Sequence, residues 1–232
     1  MKTSTRIALF AITALLVGFG GTAQAQEQDK NTIRAGVYLV YYDAKANDIS
    51  GPYVPSGVNL NVDNVQTMYF AYVRRLSPHF DLELAAGVPP KTNTVGRGPA
   101  KLGSVPYAGQ VIGTSRWFSP TVLLNYKFLD ESSPLRPYVG LGVNFTHFYD
   151  NTSTSAGNAA NGGPTSIGLS DSFGAAAVVG VSYQLQKHWS LDASYAVTQV
   201  KSNMVANTSG VLRTTTIDFR PSAIVLSAGY SF

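Results

Sequence analysis

Apolar residues occupy every second position along long stretches of this chain, and this alternation constrains the fold more than any other feature. Phe80, Leu82 and Leu84 fall on one side of a segment whose other side carries Asp81 and Glu83. Because successive side chains of a β-strand point to opposite faces, such alternation predicts a strand with one apolar face. The sequence therefore predicts eight strands, at approximately 33–43, 62–74, 79–88, 117–128, 136–148, 171–185, 189–201 and 213–232.

The connections between these segments alternate between short and long. Short links are predicted at 75–78, 129–135 and 186–188, and long links rich in Gly, Asn, Ser and Pro at 44–61, 89–116, 149–170 and 202–212. Short turns at one end and long loops at the other are typical of outer-membrane barrels. A soluble β-sandwich, the alternative, would not sort its loops in this way. We therefore predict an all-β fold, an eight-stranded antiparallel up-and-down transmembrane β-barrel, whose closed sheet leaves no free edge in the bilayer.

The composition excludes several other classes of protein. The 232 residues include no cysteine, which excludes disulfides, thiolate metal sites and cysteine nucleophiles. Charged residues make up 13% of the chain, whereas an average soluble domain has about 25%. After the N-terminus, no apolar run approaches the roughly 18–20 residues of a membrane-spanning helix. A helical membrane protein is thereby excluded, and a soluble enzyme is disfavoured.

The N-terminus has the three parts of a secretory signal peptide. Two basic residues precede an apolar run of 14 residues at 7–20, and an Ala-Gln-Ala cleavage signal ends at residue 25. We predict a signal peptide at 1–25 and a mature barrel at 26–232, exported to the outer membrane. The mature chain would carry a net charge of +2 instead of +4, which gives no argument for nucleic-acid binding.

Aromatic residues lie near the ends of the predicted apolar faces, where a membrane barrel places girdles at its two interfaces. They are Tyr41, Tyr72, Tyr126, Phe128, Phe145, Phe173, Tyr183, Trp189, Tyr195, Tyr230 and Phe232. The alternating aromatics that end the chain, Tyr230 and Phe232, resemble an outer-membrane assembly signal. We therefore expect outer-membrane lipid and the outer-membrane assembly machinery as partners.

Five inward positions near the short turns carry charges: Arg34, Glu83, Lys127, Arg136 and Asp192. In a narrow lumen of low dielectric constant, an unpaired charge costs several kcal/mol, so these side chains are expected to pair across the bore. We predict that they form a salt-bridged plug at the periplasmic end. The alternative is that some of them point into bulk water at the rim.

Toward the long links, the inward positions become apolar and aromatic. The predicted hydrophobic lumen lining is Tyr38, Val40, Tyr42, Val65, Tyr69, Leu123, Val178 and Val225. A barrel of eight strands is just wide enough to hold its own side chains or one small ligand. This lining suits a hydrophobic molecule that enters from outside, and the plug would direct it sideways into the membrane. Proline cannot donate to the strand ladder, so Pro120, Pro137 and Pro221 are candidate weak points in the wall.

Several motifs resemble the OmpW family of small outer-membrane proteins. They are Arg-Pro-Tyr-Val-Gly-Leu-Gly-Val-Asn-Phe-Thr at 136–146, Gly-Leu-Ser-Asp-Ser-Phe-Gly-Ala-Ala at 168–176 and Leu-Ser-Ala-Gly-Tyr-Ser-Phe at 226–232. The Ile-Arg-Ala-Gly sequence at 33–36 opens the first strand in a similar way. The resemblance covers essentially all of the mature chain. It implies a monomeric barrel of eight strands with a narrow, largely hydrophobic lumen that passes small hydrophobic molecules, and it carries over no catalytic site.

Three classes of function follow from these features. The first is a passive conduit for small hydrophobic molecules, which the apolar lumen and the resemblance favour. The second is a structural or recognition barrel whose loops at 89–116 and 149–170 bind surfaces, phage or toxins, and a fully packed lumen would favour it. The third is a lipid-modifying enzyme using His188 and Ser190, but no acidic residue completes a catalytic set. The three histidines show no metal-ligand spacing, so no metal or other cofactor is predicted.

Overall fold

The computed structural model describes residues 30–102 and 104–232, and most of them lie in strands. The predicted signal peptide at 1–25 lies outside the described residues. In chain order the elements are β1 (Asn31–Tyr42), β2 (Lys45–Ala46), β3 (Asn59–Val62), β4 (Val65–Arg75), β5 (Phe80–Gly87), β6 (Lys91–Arg97), β7 (Lys101–Leu102), β8 (Val105–Pro106), β9 (Val111–Phe118), β10 (Thr121–Lys127), β11 (Leu135–Ser153), α1 (Ser155–Asn161), β12 (Thr165–Leu169), β13 (Ser172–Gln184), β14 (Trp189–Thr198), β15 (Lys201–Thr208), β16 (Val211–Asp218) and β17 (Pro221–Ser231).

Eight of these strands close into an antiparallel barrel in the order β1-β4-β5-β10-β11-β13-β14-β17. The last strand pairs back onto the first, from Thr32 opposite Ser231 to Tyr42 opposite Pro221. Closure gives every barrel strand two hydrogen-bonded neighbours, as the hydrocarbon core of a bilayer requires. The predicted fold class, an eight-stranded up-and-down β-barrel, is confirmed.

The outer surface of the barrel is apolar and aromatic. In β4, Phe70 and Tyr72 are exposed, whereas Tyr69, Ala71 and Val73 are buried inside the barrel. The same alternation runs along the other barrel strands, and every aromatic residue predicted for the girdles is exposed. A contiguous exposed apolar surface of this kind suits lipid better than water.

The connections predicted as long links contain strands of their own. β3, β6, β9, the outer end of β11, β12, β15, β16 and β2 form a second antiparallel sheet that continues the wall beyond the barrel. We call this sheet together with α1 the extension, and the rule that long connections face outward puts it on the extracellular side. Its strands alternate too, but their outward positions are mostly Thr, Asn and Ser, so they lack the apolar contrast that identified the barrel strands.

Most wall strands are interrupted where the barrel meets the extension. The predicted strand at 213–232 is therefore two strands, β16 and β17, which separate beside Arg220 in a left-handed conformation with φ of 42°. The predicted strand at 117–128 is likewise β9 and β10, interrupted beside Pro120. Within the described residues, β11 alone passes from the barrel into the extension without a break.

The short helix α1 belongs to the extension. The hydroxyl of Thr154 caps it by accepting a hydrogen bond from the Gly157 backbone N–H at 3.1 Å, and Gly162 ends it in a left-handed conformation. Across residues 30–102 and 104–232, no helix has both the length and the hydropathy needed to cross a membrane.

Candidate functional site

A buried ionic network occupies the barrel interior near the short turns. The guanidinium of Arg34 lies between two carboxylates, 3.2 Å from Glu83 Oε2 and 3.2 Å from Asp192 Oδ2. The Tyr69 hydroxyl donates to Glu83 at 2.5 Å, and the Tyr138 hydroxyl donates to Asp192 at 2.9 Å. All three charged side chains are at most 5% exposed. The two carboxylates thus share one cation and are further satisfied by phenol donors, as buried charges require.

The other two predicted plug residues do not contact this network. Lys127 Nζ lies 2.6 Å from Asp81 Oδ2, a carboxylate outside the predicted set. Arg136 donates instead to the backbone carbonyl oxygens of Pro78 at 2.7 Å and Leu129 at 3.0 Å. Asp81 could have been found from the sequence, because it stands two residues before Glu83 on the same inward face of β5.

Above the ionic network, the barrel interior is filled by packed side chains. Four of the predicted lining residues are buried there: Tyr69, Leu123, Val178 and Val225. Tyr69 and Val225 pack with the alanines at 71 and 85, and Leu123 and Val178 pack with Tyr138. An interior filled in this way is what the diameter of an eight-stranded barrel favours.

An apolar cavity of about 260 Å³ lies higher, inside the extension. Tyr42 is the one predicted lining residue on its wall. Most of its lining is apolar and comes from the extension, including Val58, Val62, Ile112, Ile167, Met204 and Ile217. Four of them (Val58, Ile112, Ile167 and Met204) lie in connections that sequence reasoning treated as loops. Val62 and Ile217 lie in predicted strands, but they were not assigned to the lining.

Four aromatic side chains separate this cavity from a smaller void beneath it. Tyr42, Trp117, Phe148 and Phe219 line both spaces, and we call them the aromatic partition. The rings of Phe148 and Phe219 stack with centroids 5.2 Å apart, and Tyr42 meets Phe219 edge-on at 6.1 Å. The Trp117 indole N–H donates to the Thr92 hydroxyl at 3.0 Å. The partition is thus a layer of packed rings between the two spaces.

The small void has a volume of about 20 Å³ and reaches toward the outer wall of the barrel. The predicted lining residues Tyr38 and Val40 line it. Val65 packs against the hydrophobic cluster that Val40 forms with residues such as Phe148 and Phe219. Thr198 and Pro221 also line the void, and both line a groove on the outer wall near Phe173. A thin layer of side chains therefore separates the void from this outer groove, which is also lined by four charged side chains: Asp43, Lys201, Asp218 and Arg220.

The inward parity of the barrel strands could have identified part of the partition. Phe148 continues the even-numbered inward series of β11, which includes Arg136 and Tyr138. Phe219 continues the odd-numbered inward series of Ala223 and Val225, across the interruption at Arg220. The alternation of buried residues indicates both of these inward positions, but it does not indicate the interruption at Arg220.

The remaining predicted residues lie near the chain ends. Tyr230 and Phe232 are exposed on the outer face, where Tyr230 contacts Trp189 edge-on at 5.2 Å. Their role as an assembly signal stays a prediction. His188 Nδ1 lies 3.0 Å from the Ser231 carbonyl oxygen. Among the described residues, no three His, Asp, Glu or Cys side chains converge to hold a metal ion.

The OmpW family model matches residues 20–232 of this chain. The chain belongs to the OmpW family. It is 31% identical to outer membrane protein W of Salmonella typhimurium, with all 232 residues of this chain and all of that protein covered. The crystal structure of the outer membrane protein OprG from Pseudomonas aeruginosa superposes with a TM-score of 0.79 at 24% identity, covering 88% of this chain and 96% of that one.

A partial match links this OmpW-family chain to another relative. The dibenzothiophene metabolism operon protein PahQ of Pseudomonas aeruginosa is 32% identical over 130 residues, which is 53% of this chain and 55% of that protein. Together with the closed barrel, the OmpW-family relatives identify the protein as an outer-membrane protein, as predicted.

Proposed function

We propose that this OmpW-family protein is a passive conduit for the uptake of small hydrophobic molecules, and that these molecules leave the barrel sideways into the outer membrane. The observation that carries the proposal is the apolar cavity of about 260 Å³ in the extension, above a barrel interior filled by its own side chains. A hydrophobic molecule in that cavity exchanges water for apolar walls, which is favourable in proportion to the area it buries. PahQ is named for a dibenzothiophene metabolism operon, and dibenzothiophene is a small hydrophobic molecule of this substrate class.

The ionic network supports an exit other than straight passage. Moving a molecule past Arg34 would separate it from Glu83 and Asp192, and an ion left unpaired in a low-dielectric interior costs several kcal/mol. We propose that these residues act as a plug, with Lys127 and Arg136 bracing its periplasmic rim. The packed layer above them adds a second barrier of buried side chains.

The arrangement of spaces supports the sideways route. The cavity, the void and the outer groove follow one another, with the aromatic partition between the first two and Thr198 and Pro221 between the last two. In this proposal Tyr38, Val40 and Tyr42 are the hydrophobic lining along which the molecule passes. Tyr69, Leu123, Val178 and Val225 are instead the floor that turns it toward the wall.

The test is uptake of methyl octanoate, a neutral hydrophobic ester, by cells with and without the protein. The blocking variant is Met204→Glu, which puts a charge on the cavity wall, and the matched control is Val205→Glu, whose side chain is on the outer face of the same strand. We expect the protein to accelerate uptake, Met204→Glu to abolish the acceleration and Val205→Glu to retain it. Amounts of folded barrel in the membrane are compared first, so that loss of protein is not mistaken for a block. Equal uptake in all strains would overturn the conduit.

The filled barrel interior favours one second candidate, a structural or recognition barrel that binds partners through its outer end. This candidate predicts no change in ester uptake when the protein is removed. The same uptake experiment therefore distinguishes it from the conduit.

A further inference from the structure

Within the described residues, only two charged side chains line the cavity of the extension, and both are cationic. They are Arg213 and Lys101, and no Asp or Glu is on the cavity wall. Tyr107 is also on the wall, and burial raises the pKa of its phenol to about 12, so it stays neutral near pH 7. The cavity therefore combines apolar walls with positive charge that no cavity-lining carboxylate neutralises.

Arg213 is buried, with 9% of its surface exposed, and its protein partners are all neutral. Its Nε donates to the Pro52 carbonyl oxygen at 3.3 Å, and its Nη1 donates to Asn161 Oδ1 at 3.2 Å and to the Thr208 hydroxyl at 3.4 Å. In the described part of the chain, no carboxylate lies within ion-pair distance of this guanidinium, and Nη2 donates no hydrogen bond. A buried charge is usually paired because its desolvation is costly. Arg213 thus has no counter-charge among the described residues, and its Nη2 is free to donate to a ligand.

The position of Arg213 gives the cavity a charged end and an apolar end. Arg213 and Ile217 stand on the same inward face of β16. Four residues of a strand span about 13 Å. Ile217 packs with Met204 and Phe219 in the hydrophobic cluster at the inner end of the cavity. A molecule that matches both ends carries an anionic head toward Arg213 and an apolar tail toward Ile217.

We propose that the cavity selects amphipathic anions, specifically carboxylates with one apolar tail, and that Arg213 is the residue that binds the carboxylate. The inference rests on the proposed conduit function and narrows its substrate class. One carboxylate oxygen can accept from Nη2, which donates to no described residue, and a hydrogen bond between two charged groups is stronger than one between neutral groups. It supplies the counter-charge that the cavity lacks, while Lys101, which is exposed, adds attraction at the cavity mouth. A neutral ester of the same length gains the apolar contacts but not the ion pair.

The two tryptophans make this binding measurable in the full chain. Trp117 lines the cavity, whereas Trp189 is on the outer face of the barrel. In a Trp189→Phe background, tryptophan fluorescence therefore reports on Trp117, in the wall that the cavity shares with the void. We would titrate octanoate and methyl octanoate into the protein in phosphatidylcholine vesicles at pH about 7.5, where a carboxylic acid is ionised. Partition into the lipid is measured with protein-free vesicles and subtracted.

We expect octanoate to bind the protein more tightly than methyl octanoate. Arg213→Gln should weaken octanoate about 10-fold or more, as expected for losing a hydrogen-bonded charge, and leave the ester unchanged. Arg213→Lys, which keeps the charge but loses the Nη2 donor, should weaken octanoate binding less than Arg213→Gln does, and Lys101→Gln should weaken it less again. Retained ester binding by Arg213→Gln shows that its cavity is intact.

Equal affinity of the unaltered cavity for octanoate and its ester would overturn the anion site, as would an Arg213→Gln variant that weakens neither. If the ester binds and octanoate does not, the conduit stands and the anion site fails. If octanoate binds through Arg213 and the ester does not bind at all, the anion site stands and the conduit for neutral molecules fails. If neither probe binds, both proposals fail.

Discussion

Arg34 and Asp192 form an ion pair at 3.2 Å between two strands that are not neighbours in the barrel, because β17 lies between β1 and β14. The same guanidinium reaches Glu83 on β5, on the other side of β4. One side chain therefore links three strands across the interior. Such a link stabilises the barrel only while the cation and its carboxylate partners are all present.

Arg34→Met should destabilise the barrel by about 3–5 kcal/mol, because it leaves two buried carboxylates without a cation. The matched control is Arg75→Met, which breaks the half-exposed ion pair with Glu131 and should cost less than about 1 kcal/mol. The measurement is urea unfolding in lipid vesicles. The triple variant Arg34→Met/Glu83→Gln/Asp192→Asn should recover much of the loss, and equal effects of the two single arginine variants would contradict this account.

Gly140→Ala should also disturb the network, although the new methyl group carries no charge. A Cβ at this position would clash with the side-chain oxygen of Asn125, whose Nδ2 donates to Glu83 at 2.7 Å. Overpacking of this kind costs about 1–3 kcal/mol in the free energy of unfolding. Gly168→Ala is the control, because the nearest atom to its Cβ would be the Val205 carbonyl oxygen at 3.9 Å. A Gly140→Ala barrel as stable as the Gly168→Ala barrel would show that Asn125 is free to move.

The sequence could predict the barrel because lipid enforces a simple contrast between its two faces. The alternation alone assigns Arg34, Glu83 and Asp192 to the inward face, and all three side chains are buried in the barrel interior. The partner of Lys127 could not be chosen from that pattern, because Asp81 and Glu83 both point inward from β5. The register between β5 and β10, which the pattern does not give, puts Asp81 nearer to Lys127 than Glu83. Most of the extension, β16 excepted, escaped prediction because it is a wall between water and an apolar cavity, and many of its outward residues are Thr, Asn and Ser, as in loops.

Phe219→Ala should accelerate uptake of methyl octanoate, because it removes the ring that stacks on Phe148 and so opens the aromatic partition toward the void. The same change should lower stability by about 3–5 kcal/mol, so uptake is expressed per folded barrel. Phe70→Ala, which removes an exposed ring from the outer face of β4 and lies away from the outer groove, is the control and should have no such effect. Slower or unchanged uptake by a folded Phe219→Ala barrel would mean that the partition does not limit passage.

Pro221→Ala tests the sideways exit. Pro221 is at the start of β17, opposite Tyr42 of β1, and lines both the void and the outer groove. Alanine supplies the N–H that proline lacks, and one added hydrogen bond contributes about 0.5–1.5 kcal/mol to keeping the wall closed. The population of open walls, and with it the uptake of methyl octanoate, should fall roughly 2- to 10-fold. Pro137→Ala is the control, because Pro137 is paired with Val181 in the barrel, away from the groove. Unchanged uptake by an intact Pro221→Ala barrel would contradict the lateral route. The molecule would then have to pass the ionic network around Arg34.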